Sequence, residues 1–267
     1  MKKELTKPQI TFIVGLYKKG RGRRSIARLF NRKYNENITE YSMRRKIEKY
    51  TKEIDRDVPK VLYVDIETKP IKAWTWGTWN QNIPLNMIIE DWSVLSWSAK
   101  WAGAPESEVI YSDNRKKKGK FLVNDKKLLK PLWKLLDEAD IVIGQNSDRF
   151  DLPKLNARFI EHNMGCPSEF QTIDTYKMAS SRFGFTSNKL EYMTKKLNKK
   201  YKKQDHREFS GFALWDECIK GNMKAWKSME VYNKYDVLSL EELFLKLSEF
   251  VRNSVVASAL RAYKSKE

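Results

Sequence analysis

Only two cysteines, Cys166 and Cys218, and two histidines, His162 and His206, occur in 267 residues. They are too few and too scattered for a zinc ribbon or a disulfide framework, so both thiols read as reduced and structural. Glycine (11) and proline (8) are also scarce, and with 41% hydrophobic and 12% aromatic residues this excludes a collagen-like, low-complexity or disordered chain. Long apolar runs are missing. The stretch at 10–17 is short and followed by Lys18 and Lys19 rather than by a small-residue cleavage site, and no later run reaches the span of a membrane helix. The expectation is a soluble cytoplasmic protein with no membrane partner. Acidic residues, finally, are outnumbered: 34 against 52 basic ones give a net charge of +18 and a pI near 9.7. Such a balance suits a polyanion, nucleic acid first, although a generally solvated basic surface would look the same.

The charge is unevenly spread. Residues 1–60 hold 18 basic and 7 acidic side chains, a net +11, which places a domain boundary near Val58 and Pro59 and divides the chain into 1–58 and 59–267. Thr6 and Gln9 have capping-box spacing and predict a helix ending near Gly20. Ser25 opens a second helix with Ile26, Ala27, Leu29 and Phe30 inward. Thr39 caps a third, with Met43, Ile47 and Tyr50 inward and Arg44, Arg45, Lys46 and Lys49 outward. Three short helices with a basic third one resemble a helix-turn-helix domain, with Arg44, Arg45 and Lys49 as candidate DNA contacts. The connector at 31–38 is longer than that motif's tight turn, and the third helix also reads as a solvated charged face.

From Lys60 the pattern becomes α/β. Residues 61–67, Val-Leu-Tyr-Val-Asp-Ile-Glu, form an apolar run with two acids at its end, which reads as a buried strand. Asp65 and Glu67 are two apart and share one face, where two negative charges repel unless cations or water neutralise them; a metal site and a pair of solvated acids are both consistent with this. Further strands are expected at 92–101 and 109–111. An amphipathic helix at 125–139 leads to the strand 141–143. After Gly144 come Asn146, Phe150 and Asp151 at the start of a helix, whose N-terminal dipole favours anions. A long helix is expected at 226–251, and there Tyr232 and Asp236 stack one turn apart.

Together these segments resemble the DEDD superfamily of 3′–5′ exonucleases, on an RNase H-like fold. Asp65-Ile66-Glu67 is similar to the first motif, Asn146 with Phe150-Asp151 to the second, and Tyr232 with Asp236 to the YxxxD motif of the DEDDy branch. The histidine branch fits badly, since Val231 stands where its His would fall. Residues 144–155 look like the proofreading domain of family B polymerases. Residues 65–101 and 173–192 look like stand-alone exonuclease-like proteins of bacteriophages and prophages, for which the compartment would be the host cytoplasm. The resemblance covers about 60–250 and does not reach the N-terminal helices.

The resemblance implies a mixed sheet flanked by helices and two Mg²⁺ or Mn²⁺ ions, which would make a hydroxide near neutral pH and neutralise the departing 3′ oxygen. It implies that Asp65 bridges both ions, that Glu67 and Asp236 complete the nucleophile-side ion, and that Asp151 holds the second directly or through water. Tyr232 would orient the attacking water, since a tyrosine, which ordinarily titrates near about pH 10, is a poor base. Thr68, Asn146 and Phe150 are the implied nucleic-acid contacts near the metals. Asp174 reads instead as a helix cap, Asp148 occupies a variable position, and His206, in the basic stretch 199–207, is a possible substrate contact. Six of the nine tryptophans, Trp74, Trp76, Trp79, Trp92, Trp97 and Trp101, fall within 28 residues after the first motif. Trp97 and Trp101 read as core. Trp74, Trp76 and Trp79, in a Gly-containing segment, read either as packing or as stacking platforms for a frayed 3′ end. The functional expectation is a metal-dependent 3′–5′ exonuclease acting on DNA with a single-stranded 3′ end, with replication or repair proteins as possible partners. The alternatives are a DEDDy ribonuclease and a catalytically inactive DNA-binding regulator.

Overall fold

A strand that is apolar on both faces belongs at the centre of a sheet covered on both sides, and β1 (Val61–Lys69) occupies that place. The computed structural model describes residues 4–18, 23–51, 58–201, 208–251 and 253–264; His206 and most of its basic stretch lie outside them. The other strands are β2 (Lys72–Ala73), β3 (Ile88–Glu90), β4 (Ser93–Trp101), β5 (Ile110–Asp113), β6 (Ile141–Gly144) and β7 (Gln171–Asp174). The main sheet runs β5-β4-β1-β6-β7. β4 is antiparallel to β1 and β5, whereas β6 is parallel to β1 and β7. β2 and β3 form a separate two-stranded arm.

The helices are α1 (Lys7–Lys18), α2 (Arg23–Tyr34), α3 (Glu40–Thr51), α4 (Lys126–Glu138), α5 (Asp151–Glu161), α6 (Thr175–Arg182), α7 (Leu190–Leu197), α8 (Ala213–Lys220), α9 (Met223–Ser248) and α10 (Ser254–Lys264). The period-two alternation of β1 sends Leu62, Val64 and Ile66 to one face, where they meet Leu129, Leu132 and Leu136 of α4 and Phe159 of α5. Val61 and Tyr63 go to the other face, against Val237 and Phe244 of α9 and Ala259 of α10. This is the mixed sheet flanked by helices expected of an RNase H-like α/β fold. No helix among the described residues is long and apolar enough to cross a membrane.

Helices α1–α3 enclose a cluster of their own, Ile13, Ile26, Phe30, Met43 and Ile47. Thr6 N–H donates to Gln9 Oε1 (3.0 Å), and Thr39 Oγ1 accepts from Ser42 N–H (3.3 Å) as the cap of α3. Two expectations are corrected. α2 begins at Arg23, so Ser25 lies inside its first turn and gives its N–H to Ser168 Oγ (2.8 Å). The helix also continues to Tyr34, shortening the connector to residues 35–39, because the Asn31 side chain bonds both Ile38 N (3.0 Å) and Ile38 O (2.9 Å) and folds the turn back. Leu29 and Tyr50, expected inward, are half-buried.

The three helices dock on the rest of the chain through α2. Arg28 pairs with Asp137, whose Oδ1 also accepts from Ser168 N (2.9 Å) and Ser168 Oγ (2.9 Å). The Arg28 guanidinium lies 4.6 Å from the Trp133 ring centroid, and Arg24 reaches Pro167 O (3.2 Å). These contacts fall where α4 leads into β6 and where residues 165–170 lead into β7. That is the end of the sheet opposite the carboxylates described below.

Candidate metal centre

The same alternation that buries Tyr63 aims Asp65 and Glu67 at the face crossed by α9. Neither is fully buried, because β1 there passes the last residues paired with β6. Asp236 comes from α9 and is buried. One carboxylate oxygen from each of Asp65, Glu67 and Asp236 lies within 4.8 Å of the others.

Around this group lie neutral donors. Asn233, fully buried on α9, donates from Nδ2 to Asp65 Oδ2 at 2.5 Å and accepts from Ser96 Oγ at 3.2 Å. Trp215 of α8 donates from Nε1 to Glu67 Oε2 at 3.1 Å. Its ring meets that of Tyr232 edge-on at 5.9 Å. The Tyr232 hydroxyl bonds Asp236, one helical turn away. Burial pushes its pKa far above the ordinary tyrosine value, and the negative charges of Asp236, Glu67 and Asp65 push it further, so the hydroxyl stays protonated at neutral pH.

Asp151 stands apart from the three. β6 stops pairing with β1 at Tyr63, so the N–H of Ile66 lacks a ladder partner, and Asp151 Oδ1 accepts it at 3.1 Å. The carboxyl is buried, and that burial, with some help from the negative Asp174, raises its pKa well above the usual carboxylate range; the N–H groups of Ile66 and Asp151 oppose the rise. Asp151 is thus fastened to the backbone one residue beyond Asp65, while the converging group itself is Asp65, Glu67 and Asp236.

The loop after β6 is built by a cap rather than by ligands. Asp174 Oδ1 accepts from Asn146 N (2.8 Å) and from Tyr176 N (2.9 Å), so one carboxylate both starts α6 and holds the preceding loop. Gly144 is needed there, since a Cβ would come within 2.4 Å of Ser147 Cβ. Asn146 takes a left-handed φ of 56°. Phe150 is partly exposed, and Lys154 Nζ sits 5.1 Å from its ring and 3.7 Å from that of Trp92. Asp148 pairs with Lys177 at 2.8 Å. Thr68 is half-buried at a β-bulge that follows Glu67.

The α3 cations lie away from the carboxylates. Arg44 pairs with Glu48 (3.0 Å) and Lys49 with Glu4 (3.3 Å), whereas Arg45 is exposed on a groove of about 790 Å³ that Tyr41, Lys46 and Tyr50 also line. Trp97 is core, with its Nε1 donating to Leu128 O at 2.9 Å. Trp101, expected as core, is half-buried, since it ends β4 where Lys60 caps its ring at 5.6 Å. Asn233, Trp215 and Ser96 had no place in the sequence reading. Asn233 had a weak signal, as it lies three residues before Asp236 and so on the same helix face.

The three carboxylates offer only hard oxygen donors, and their neighbours Asn233 and Trp215 hold them without cancelling their charge. That donor set fits Mg²⁺ or Mn²⁺ rather than a softer ion.

No curated protein matches this chain. Among solved structures it is similar to the family B DNA polymerase from the hyperthermophilic archaeon Pyrobaculum calidifontis, at 14% identity and a TM-score of 0.45, over 75% of this chain and 27% of that one. The chain thus spans about a quarter of that polymerase's length. The family model RNase_H_2 matches residues 108–248, which include Asn146, Phe150, Asp151, Tyr232 and Asp236 and leave Asp65 and Glu67 upstream. That match covers more than half of the sequence, and the chain belongs to the RNase_H superfamily.

Proposed function

We propose that this protein is a metal-dependent 3′–5′ exonuclease that hydrolyses phosphodiester bonds at single-stranded DNA 3′ ends. The observation that carries the reading is the convergence of Asp65, Glu67 and Asp236, with the Tyr232 hydroxyl bonded to Asp236. Asp65, Glu67 and Asp236 would hold the divalent cations, with Asp151 as a further ligand directly or through water. Bound there, such cations lower the pKa of water and stabilise charge on the departing 3′ oxygen. The protein's own groups do the rest. Asn233 and Trp215 keep Asp65 and Glu67 in place. Tyr232, a donor and not a base at neutral pH, orients the attacking water by its hydroxyl. Asn146, Phe150 and Thr68 would contact the terminal nucleotide. Helices α1–α3 form a separate module, with Arg45 and its neighbours supplying phosphate contacts.

The test compares single-stranded DNA, duplex DNA and RNA of one sequence, each labelled at the 5′ end, with Mg²⁺, Mn²⁺ or EDTA. The reading expects a ladder shortening from the 3′ end of single-stranded DNA in either metal and none in EDTA. Preferential loss of the RNA would make this a ribonuclease, and intact substrates throughout would leave a nucleic-acid-binding protein without catalysis.

A further inference from the structure

Residues 73–89 contain no charged side chain, although 32% of the whole chain is charged. The same residues form the arm that β2 and β3 carry, and among the described residues they include three of the most exposed large apolar side chains. Trp76 is 95% exposed, Trp79 82% and Trp74 71%. A patch of this kind is seldom left bare without a partner.

The arm has contacts of its own. Its root is pinned by Lys69, buried and paired with Glu90 at 2.7 Å, and Trp74 N–H donates to Met87 O at 2.9 Å. At its tip Thr75 Oγ1 donates to Gly77 O (2.7 Å) and Gln81 Nε2 to Trp79 O (2.5 Å). It is also continuous with the carboxylates, since β1 carries Glu67 and only Pro70 and Ile71 separate β1 from β2.

We infer that this arm grips the unpaired bases of the substrate strand. The inference rests on the nuclease reading for its place in a reaction, but its own evidence is chemical. A surface meant for phosphates would carry Lys and Arg; this one carries indole faces, which stack on any base, and the amides of Asn80, Asn82 and Asn86, a group able to hydrogen-bond base edges. Phosphate attraction is left to the basic remainder of the chain. The arm therefore distinguishes a strand whose bases are free from one whose bases are paired, and it does so without salt dependence.

The experiment measures binding in EDTA, so that no cleavage occurs, to a thymidine 20-mer and to an abasic 20-mer of equal charge. The wild-type protein is expected to bind the thymidine strand more tightly, with its tryptophan fluorescence quenched. Trp76→Ala should cut that preference about fivefold or more, in line with one lost stacking contact. Combining it with Trp74→Ala and Trp79→Ala should abolish the preference and leave abasic binding and the salt slope unchanged. Trp76→Phe, which keeps an aromatic face, should restore most of the preference, whereas Trp76→Leu, which keeps only apolar bulk, should not. A triple variant with undiminished preference would overturn the inference, as would a wild-type protein that sediments as a dimer and becomes monomeric in that variant, because the arm would then serve a second copy. Failure of the nuclease reading would instead show as no cleavage of any strand in Mg²⁺ or Mn²⁺ while the base-dependent binding persists.

Discussion

Replacing Asn233 by Ala removes a donor that touches no substrate atom, and its effect follows from one contact. The Nδ2 to Asp65 Oδ2 bond is short, at 2.5 Å, and its acceptor is a carboxylate oxygen. A bond of that class contributes about 1.5–3 kcal/mol net. Loss of a partner that orients a metal ligand typically lowers metal affinity or activity about 10–100-fold, which is the same range expressed as a ratio. Asn233→Ala should therefore reduce kcat/KM by about that factor at limiting Mg²⁺ and recover in part as Mg²⁺ is raised, since excess cation can reorder a loosened Asp65. Ser96 Oγ loses its acceptor as well, so about 1–3 kcal/mol of stability goes with it, read separately by thermal unfolding. Asn233→Asp preserves volume but places another carboxylate against Asp65 and should be the worse of the two. Initial rates on a single-stranded substrate across a metal titration decide the matter. A folded Asn233→Ala variant within twofold of wild type at every metal concentration would show that Asn233 does not position Asp65.

Other expectations follow from the same structure. Tyr232→Phe should lower kcat much more than it changes KM if, as proposed, the hydroxyl orients water rather than binding substrate, and steady-state kinetics under chemistry-limited conditions will show it. Asp125 is buried; desolvation alone would raise its pKa, but hydrogen bonds from Arg158, His162 and Val94 N–H outweigh it and leave the pKa below the ordinary value. That carboxylate's contribution is thus present above the unfolded pKa of about 3.9 and lost as pH falls through the lower folded value, so Asp125→Asn should destabilise at pH 7 and lose its effect progressively in unfolding scans taken below about pH 3.9. Arg45→Ala should reduce the slope of log K against log salt for duplex DNA by roughly 0.9, and Arg44→Ala by less, since Arg44 is already paired with Glu48.

Where a segment's own pattern decides its structure, the sequence was legible. The apolar run of β1, the amphipathic period of α4 and the length of α9 all follow from side chains meeting a neighbouring layer, and the structure has each within a few residues of its expected bounds. Asp174 read as a cap because its place after a strand and before a helix is a local signal, and it does cap α6. What remained hidden was tertiary. Asn233 reaches Asp65 from 168 positions away, and a buried amide leaves no period in the sequence. Trp215 likewise finds Glu67 only because α8 folds beside α9. The separation of Asp151 from the other three acids depends on where β6 leaves β1, which composition does not encode. Ser25 looked like a cap, but its N–H is used to dock α2 on Ser168, a contact no local rule anticipates.

The most direct test is cleavage of a 5′-labelled single strand in Mg²⁺ by three proteins, the wild type, Asp65→Ala and the surface variant Glu161→Gln. Metal-dependent chemistry at Asp65, Glu67 and Asp236 predicts the same ladder shortening from the 3′ end for wild type and Glu161→Gln. It predicts no ladder for a folded Asp65→Ala that still binds the strand, because phosphate contacts elsewhere would supply most of the affinity. A ladder from Asp65→Ala at near wild-type rate would contradict the account and remove these carboxylates from the reaction.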